Sequence, residues 1–318
     1  MPPASDGLCF LRCHDIDIPQ WEACLAQSRQ AVIYAHAWYL NSVCPCWSAV
    51  VEVQAGRYVS LFPLPEKRFA GLRQIYQPFF TQQLGLFTTQ ESRFTRPQDY
   101  LACIPGAYWR VYLQLNVHNA WPARELQAAY QLKERLTYQL ALDPPYEQLY
   151  RGYSQNQKRN IRKGQARYQV VEGEMGRLID LFRDTKGNQV PELRAKDYGV
   201  LGRLYRELHR QGAGQVLELR AENELLAAAL LLYSPRHIIY LFGASTAAGR
   251  RQAAMAKLLD WLIRQQAGSG RVLDFEGSDI PSLAKFYANF GARPVPYLSL
   301  RRISIPLLPT WLNQKFLS

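Results

Sequence analysis

From residue 168 onward, the order of elements leaves few folds open. Tyr168 to Glu172 reads as a strand, and Met175 to Thr185 and Lys196 to Gln211 as helices with Leu178, Leu181, Phe182, Leu201, Leu204 and Leu208 at helical spacing. Three strands follow in succession, Gln215 to Arg220, Glu224 to Tyr233 and His237 to Phe242, joined by turns at Ala221-Glu222-Asn223 and Ser234-Pro235-Arg236. A helix over Gly249 to Gln266, a strand around Val272, Leu273 and Phe275, a short helix and a closing strand from Tyr297 to Ile303 complete the series. The order β-α-α-β-β-β-α-β-α-β predicts an α/β (α+β) domain whose mixed, mostly antiparallel central sheet is flanked by helices.

The first half has a similar order without sequence-level repetition. Leu8 to Arg12 reads as a strand, and Pro19 to Ser28 and Tyr34 to Val43 as helices. Ser48 to Gln54 and Arg57 to Leu64 read as a hairpin turning at Ala55-Gly56. A helix from Arg96 to Ile104 and strands from Tyr108 to Leu115 and Leu132 to Leu140 follow. Tyr76 to Phe87 is an uncharged segment rich in aromatics and glutamine, made a loop by Pro78 and Gly85. It either packs over the first core or lines a substrate site through Tyr76, Gln77, Gln82 and Gln83. Asp143-Pro144-Pro145 is the clearest punctuation, because paired prolines stop regular pairing. Domains of 1–145 and 146–318 are expected on that basis, and 318 residues suffice for two cores.

Composition narrows the partners. An apolar content of 48% excludes a disordered chain. The formal charge of +12 points to an anionic partner without choosing among nucleic acid, a phosphorylated cofactor and a membrane surface. Arg151, Lys158, Arg159, Arg162, Lys163 and Arg167 concentrate this charge with no acid between them. On one helix from Tyr146 to Ala166 they form a stripe, either a solvated face or a phosphate-binding surface. The N-terminus shows no signal-peptide pattern, and the longest apolar run, Leu225 to Tyr233, is far below the roughly 20 residues of a membrane span, so a cytoplasmic protein is expected. The six cysteines all lie in the first third and are expected to be free thiols, with no metal site, since Cys9, His14, Cys44 and Cys46 lack paired C-x-x-C spacing.

Chemistry concentrates in D-F-E-G-S-D-I-P-S-L-A-K-F-Y-A-N-F-G-A, Asp274 to Ala292. Strand alternation places Asp274 and Glu276 on one face. Asp279 is positioned to cap a helix with Pro281 in its first turn, and Gly291 to end it. Leu283, Phe286, Tyr287 and Phe290 form the helix's apolar face.

These features resemble the GNAT fold of acyl-CoA N-acyltransferases, whose late motif, loosely A-x-x-F-Y-x-x-x-G-F, is approached by Ala284, Phe286, Tyr287, Gly291 and Ala292, with Phe286, Tyr287 and Gly291 at the motif's own spacing. The doubled order, the segment Ser154 to Lys163 and F-G-A-S at Phe242 to Ser245 look like the FemAB-like branch, which carries two tandem GNAT-like domains. The resemblance implies acyl transfer from acetyl-CoA or another acyl-CoA to an amine, a small amine or a cell-wall precursor. It also implies an acceptor site in the first domain and an acyl-donor site in the second. The branch includes tRNA-dependent aminoacyltransferases of peptidoglycan-bridge synthesis, so aminoacyl-tRNA is the alternative donor. A degenerate binding module without catalysis is the second alternative.

Two departures bear on that choice. The family's phosphate loop, R/Q-x-x-G-x-G/A, aligns with Arg251-Gln252-Ala253-Ala254-Met255-Ala256, with alanine at the first glycine position. Gly249, Arg250, Arg251, Gln252, Ala253 and Ala254 are its expected cofactor-binding residues, together with Phe242, Gly243 and Ala244 on the preceding strand. The aminoacyltransferases' F-K-x-x-F-G corresponds to Phe286-Tyr287-Ala288-Asn289-Phe290-Gly291, tyrosine replacing lysine, which favours acyl-CoA. By the resemblance, Glu276 is the candidate base, Tyr287 the candidate acid toward the leaving thiolate, and Asp274 and Asp279 the reserve carboxylates. Glu276 as a helix cap and Tyr287 as a core aromatic are the structural alternatives.

Overall fold

The computed structural model describes residues 6–44, 46–119, 127, 129–163, 167–187, 190, 193–277 and 280–304. The chain divides into two units, Met1–Arg135 with Pro296–Ser318, and Leu136–Val295.

In the first unit, β1 (Gly7–Leu11), β2 (Trp47–Gln54) and β3 (Arg57–Phe69) form an antiparallel meander. Ala55 and Gly56 take positive φ of 47° and 74° at the expected hairpin turn. β4 (Leu72–Ile75) pairs antiparallel with the end of β3, β5 (Phe87–Thr88) with its beginning, and β6 (Tyr108–Gln114) runs parallel to β4. Helices α1 (Ile18–Gln27), α2 (Ala37–Val43) and α3 (Pro97–Ala102) accompany this sheet. Asp17 caps α1 by accepting from Gln20 N–H at 3.0 Å, and Trp21, Cys24 and Leu25 are buried. Tyr100, Phe62, Val111 and Leu300 belong to the unit's core.

The second unit contains the β-α-α-β-β-β-α-β-α series. Its strands are β7 (Gln131–Ala141, from Leu136 onward), β8 (Tyr168–Glu172), β9 (Gly214–Ala221), β10 (Glu224–Tyr233), β11 (His237–Ser245) and β12 (Val272–Asp274). They lie in the order β7-β12-β11-β10-β9-β8, antiparallel throughout except for β11 and β12. Helices are α4 (Tyr146–Arg151), α5 (Gln155–Arg162), α6 (Met175–Lys186), α7 (Ala195–Arg210), α8 (Ala247–Arg251), α9 (Ala254–Gln266) and α10 (Pro281–Ala288). β10 is buried from Leu226 to Leu232, which is why it reads as a continuous apolar run.

The units differ from the boundary read at Asp143-Pro144-Pro145. Gln139 to Ala141 of β7 pair with β12 in the second unit. The closing strand β13 (Arg293–Ile303) pairs through Ser299 to Ile303 with β6 in the first. Each unit's sheet thus takes in a strand that lies beyond the sequence boundary. The prolines mark a helix start instead, with Pro145 the extended N-cap of α4.

The helix expected from Tyr146 to Ala166 is two helices. Gly152 to Ser154 break it, and Ser154 caps α5 by accepting from Gln157 N–H at 3.1 Å. The second helix ends at Arg162, so Arg159, Lys163 and Arg167 do not share one helical face. Lys158 and Arg162 gather instead over the Tyr150 ring, 5.6 and 6.0 Å from its centroid. The expected helix Gly249 to Gln266 likewise breaks at Gln252 and Ala253, the latter at φ 55°. All six cysteines are free. Among the described residues no helix is long and apolar enough to cross a membrane, and no group of three or more His, Cys, Asp or Glu is arranged to hold a metal ion.

Candidate functional site

β11 and β12 are paired only through His237↔Val272, Ile238↔Leu273 and Ile239↔Asp274. Beyond that point, Phe275 N–H donates to the Tyr138 carbonyl at 2.9 Å, so the chain after β12 follows β7. β11 continues to Ser245 along β10. The two parallel strands therefore part, and a cavity of about 450 Å³ opens where they do. It is lined by Tyr240 to Ser245 of β11, by Phe275, Glu276 and Gly277, by Leu283, Phe286 and Tyr287 of α10, and by Lys186, Arg250 and Met255. Tyr240 to Ser245 of β11 therefore face the cavity on the side where β12 no longer pairs with them.

Glu276 reaches the cavity by a turn, not by strand alternation. β12 ends at Asp274, and Glu276 takes φ 55°, a conformation that costs a non-glycine residue energy unless its surroundings impose it. Asp274 supplies that constraint. It accepts from Glu276 N–H at 2.8 Å, from Thr137 Oγ1 at 2.5 Å and from Gln139 Nε2 at 2.9 Å. Burial pushes the Asp274 carboxyl above its ordinary range, against the pull of these donors. Asp274 does not line the cavity, so the expected carboxylate pair is not a pair facing one ligand. Asp279, the expected cap of α10, lies outside the described residues; Ile280 is the N-cap observed, with Pro281 in the first turn.

Tyr287 is buried, stacked on Phe275 at 5.2 Å and 25°, with Tyr240 at 6.5 Å. Burial raises its phenol above the ordinary value, and the charges of Glu276 and Asp274 add to the effect. The ring therefore stays protonated and able to donate. Tyr240, which the sequence analysis did not single out, is held up the same way, and its hydroxyl lies against Gly243 where a β-carbon would stand. A tyrosine three residues before a glycine was the only available signal.

The expected cofactor residues separate into two groups. Phe242, Gly243, Ala244 and Arg250 line the cavity. Gly249 is buried against the Leu226 carbonyl, which leaves no room for a β-carbon, and Gln252 accepts from the Tyr168 hydroxyl at 3.1 Å. Arg251 is exposed and, like Gly249 and Gln252, lines no part of the cavity. Ala253 is the left-handed N-cap of α9. Ala254, at the motif's first glycine position, is fully buried in the core, while Met255 beside it lines the cavity. The methyl of Ala254 thus belongs to the core, and of the first turn of α9, whose N–H groups have no intrahelical partners, Met255 lines the gap. Lys186 joins Arg250 there; burial, then Arg250, lowers its ammonium below the ordinary value.

In the first unit, the glutamines of the Tyr76 to Phe87 loop are occupied by the loop itself and by β6. Gln77 donates to the Thr81 carbonyl and accepts from Gln114 N–H, and Gln83 accepts from Val117 N–H and donates to Gln82. Tyr76 lies under Lys67, 4.2 Å from its ring centroid.

Residues 148–279, inside the second unit, match the acetyltransferase (GNAT) domain family. The structure of FemX superposes with a TM-score of 0.66 over 95% of this chain and 99% of that one, at 12% identity. The chain has a FemAB-like double-GNAT fold. A tandem GNAT protein from the clavulanic acid biosynthesis pathway, solved without acetyl-CoA, shares this double-GNAT arrangement with a TM-score of 0.56, 15% identity and coverage of 94% and 99%. A conserved protein of unknown function from Bacteroides thetaiotaomicron also has a TM-score of 0.56, at 9% identity and coverage of 91% and 98%. No curated protein sequence matches the chain. The acetyltransferase (GNAT) match thus lies within the second unit, which also holds the gap between β11 and β12.

Proposed function

We propose that the chain is an N-acyltransferase that moves an acyl group from acyl-CoA to an amine, with the donor bound in the β11–β12 gap. The observation that carries this reading is the parting of the strands after Ile239↔Asp274, which brings Tyr240 to Ser245 of β11, Glu276, Tyr287 and Met255 in the first turn of α9 onto one cavity. The residues present fit such a donor. Arg250 and Lys186 offer cations to its phosphates, the first turn of α9 offers N–H groups, and the Ala254 methyl belongs to the core.

In this mechanism Glu276 takes the proton of the acceptor ammonium, directly or through water. The amine nitrogen then attacks the thioester carbonyl while backbone N–H groups of Leu241 to Ala244 stabilise the oxyanion. The C–N bond forms, the C–S bond breaks, Tyr287 donates its proton to the departing thiolate, and the proton then lost by the new amide nitrogen restores the phenol. Asp274 is a positioning residue that fixes the Glu276 turn. The Tyr76 to Phe87 loop of the first unit, through Tyr76, Gln77, Gln82 and Gln83, is the proposed acceptor lining. The proposed acceptor is a small amine or a cell-wall precursor, which a panel of amine substrates distinguishes.

Isothermal titration with acetyl-CoA tests the donor. Binding that is weakened in Arg250→Ala supports the reading, and absence of binding at about millimolar ligand leaves a GNAT-like binding module. Tyr287→Phe is expected to lower turnover about tenfold or more with an unchanged melting temperature; wild-type turnover removes Tyr287 from the mechanism. A second reading, aminoacyl transfer from tRNA, draws on the exposed cations Arg151, Arg159, Arg162, Lys163 and Arg167. A salt-sensitive gel shift with aminoacyl-tRNA, together with no acetyl-CoA binding, would select it.

A further inference from the structure

β3 and β4 place Arg68 directly opposite Arg73 in their antiparallel register. Like charges at opposed positions destabilise a strand pair. Among the described residues neither guanidinium forms an ion pair, and the same holds for Arg12 just past the end of β1. All three line one cavity of about 370 Å³, whose wall also includes Lys67, Ser48 and Glu66. The buried Glu66 carboxylate shares this wall without an ion pair to any of them. Its Oε1 accepts from the Ser48 hydroxyl and, at 2.5 Å, from the Tyr108 hydroxyl, and it makes no ion pair.

We propose that this cavity of the first unit binds a phosphate group carried by a small molecule. The site shares no lining residue with the β11–β12 gap and does not rest on the acyl-transfer reading. Guanidinium groups present planar, forked donors that match phosphate oxygens two at a time. A dianion held among Arg12, Arg68 and Arg73 turns their mutual repulsion into three favourable contacts. Cations that share the lining of one cavity favour a single phosphate group over the extended backbone of a nucleic acid. Local conflict of this kind, left unrelieved by the chain itself, is characteristic of functional positions.

Calorimetric titration of the full chain with inorganic pyrophosphate, with melting temperature as a second readout, tests the site. Pyrophosphate is expected to bind at submillimolar concentration and to raise the melting temperature. Arg73→Ala and Arg68→Ala should each weaken binding about tenfold while leaving the ligand-free melting temperature unchanged or higher, since one member of a repelling pair is gone. Arg203→Ala, an exposed change on α7 that lines neither cavity, is the control and should leave this affinity intact. The proposal is overturned by absence of binding at about 5 mM, by wild-type affinity in both arginine variants, or by loss of binding in Arg203→Ala alone. A tRNA gel shift that depends on Arg68 and Arg73, with no pyrophosphate binding, would overturn it in favour of a nucleic-acid surface.

Discussion

The Asp274 carboxylate accepts a hydrogen bond from the backbone N–H of Glu276, 2.8 Å away, and so holds Glu276 in a left-handed turn at φ 55°. The same carboxylate is anchored by Thr137 and Gln139 on β7. Asp274→Ala leaves these donors without their acceptor in a buried setting, where each unmet donor costs about 1–3 kcal/mol. A destabilisation of about 2–4 kcal/mol is expected in urea melts, with turnover lowered further than Glu276→Gln alone would explain if the turn relaxes. A variant as stable as the wild type would show that the turn does not need this carboxylate.

Two glycines predict contrasting outcomes. A methyl on Gly243 would meet the end of the Tyr240 side chain, which can swing away, whereas one on Gly249 would meet the Leu226 backbone carbonyl, which cannot. Gly249→Ala should therefore cost more than about 3 kcal/mol or prevent folding. Gly243→Ala should fold with a loss of about 1–3 kcal/mol but displace Tyr240 from beside Tyr287. Thermal melts and turnover, measured on both, distinguish them; equal loss of stability would contradict the geometry.

The sequence carried the second unit well because its elements are written locally. Apolar periodicity marks α6, α7 and β9 to β11 within a few residues of their observed ends. What it did not carry depends on distant partners. β13 joins β6 and β7 joins β12 through hydrogen bonds that no local pattern encodes. The Asp274 to Thr137 bond spans 137 residues, so nothing near Asp274 shows that its carboxylate is already committed. Glu276 and Ala253 occupy left-handed positions where glycine or asparagine would have been the readable sign. The two helix breaks are intermediate cases: Gly152 and Ser154 are legible as stop and cap in hindsight, whereas Gln252-Ala253 offers no breaker at all.

Asp260 should give the fold a pH dependence. It accepts from the Tyr146 hydroxyl at 2.8 Å, and burial raises it above 3.8 despite the opposing hydroxyls of Tyr146 and Tyr153 and the charge of Arg264. A raised folded pKa means that the folded chain binds this proton more tightly than the unfolded one. The resulting stability is fully present below the unfolded value and is lost as pH rises through the folded one. Asp260→Asn cannot ionise. The stability of wild type relative to Asp260→Asn should accordingly fall as pH rises from about 3.5 and then level off. Denaturant melts across that range check this, and parallel curves for the two proteins would refute it.

Lys186 offers a proton-linked test of donor binding. Burial and the neighbouring Arg250 lower its ammonium below 10.5, so an alkaline solution leaves part of it neutral. An anionic donor in the same cavity favours the charged form and raises the value again. Acetyl-CoA binding in alkaline solution should therefore take up protons, seen as a binding enthalpy that changes with the ionisation heat of the buffer. Lys186→Met should abolish that uptake and weaken binding severalfold, while leaving the stacking of Tyr287 on Phe275 and the melting temperature intact. Proton uptake that persists in Lys186→Met would assign the linkage to another group and remove Lys186 from the donor site.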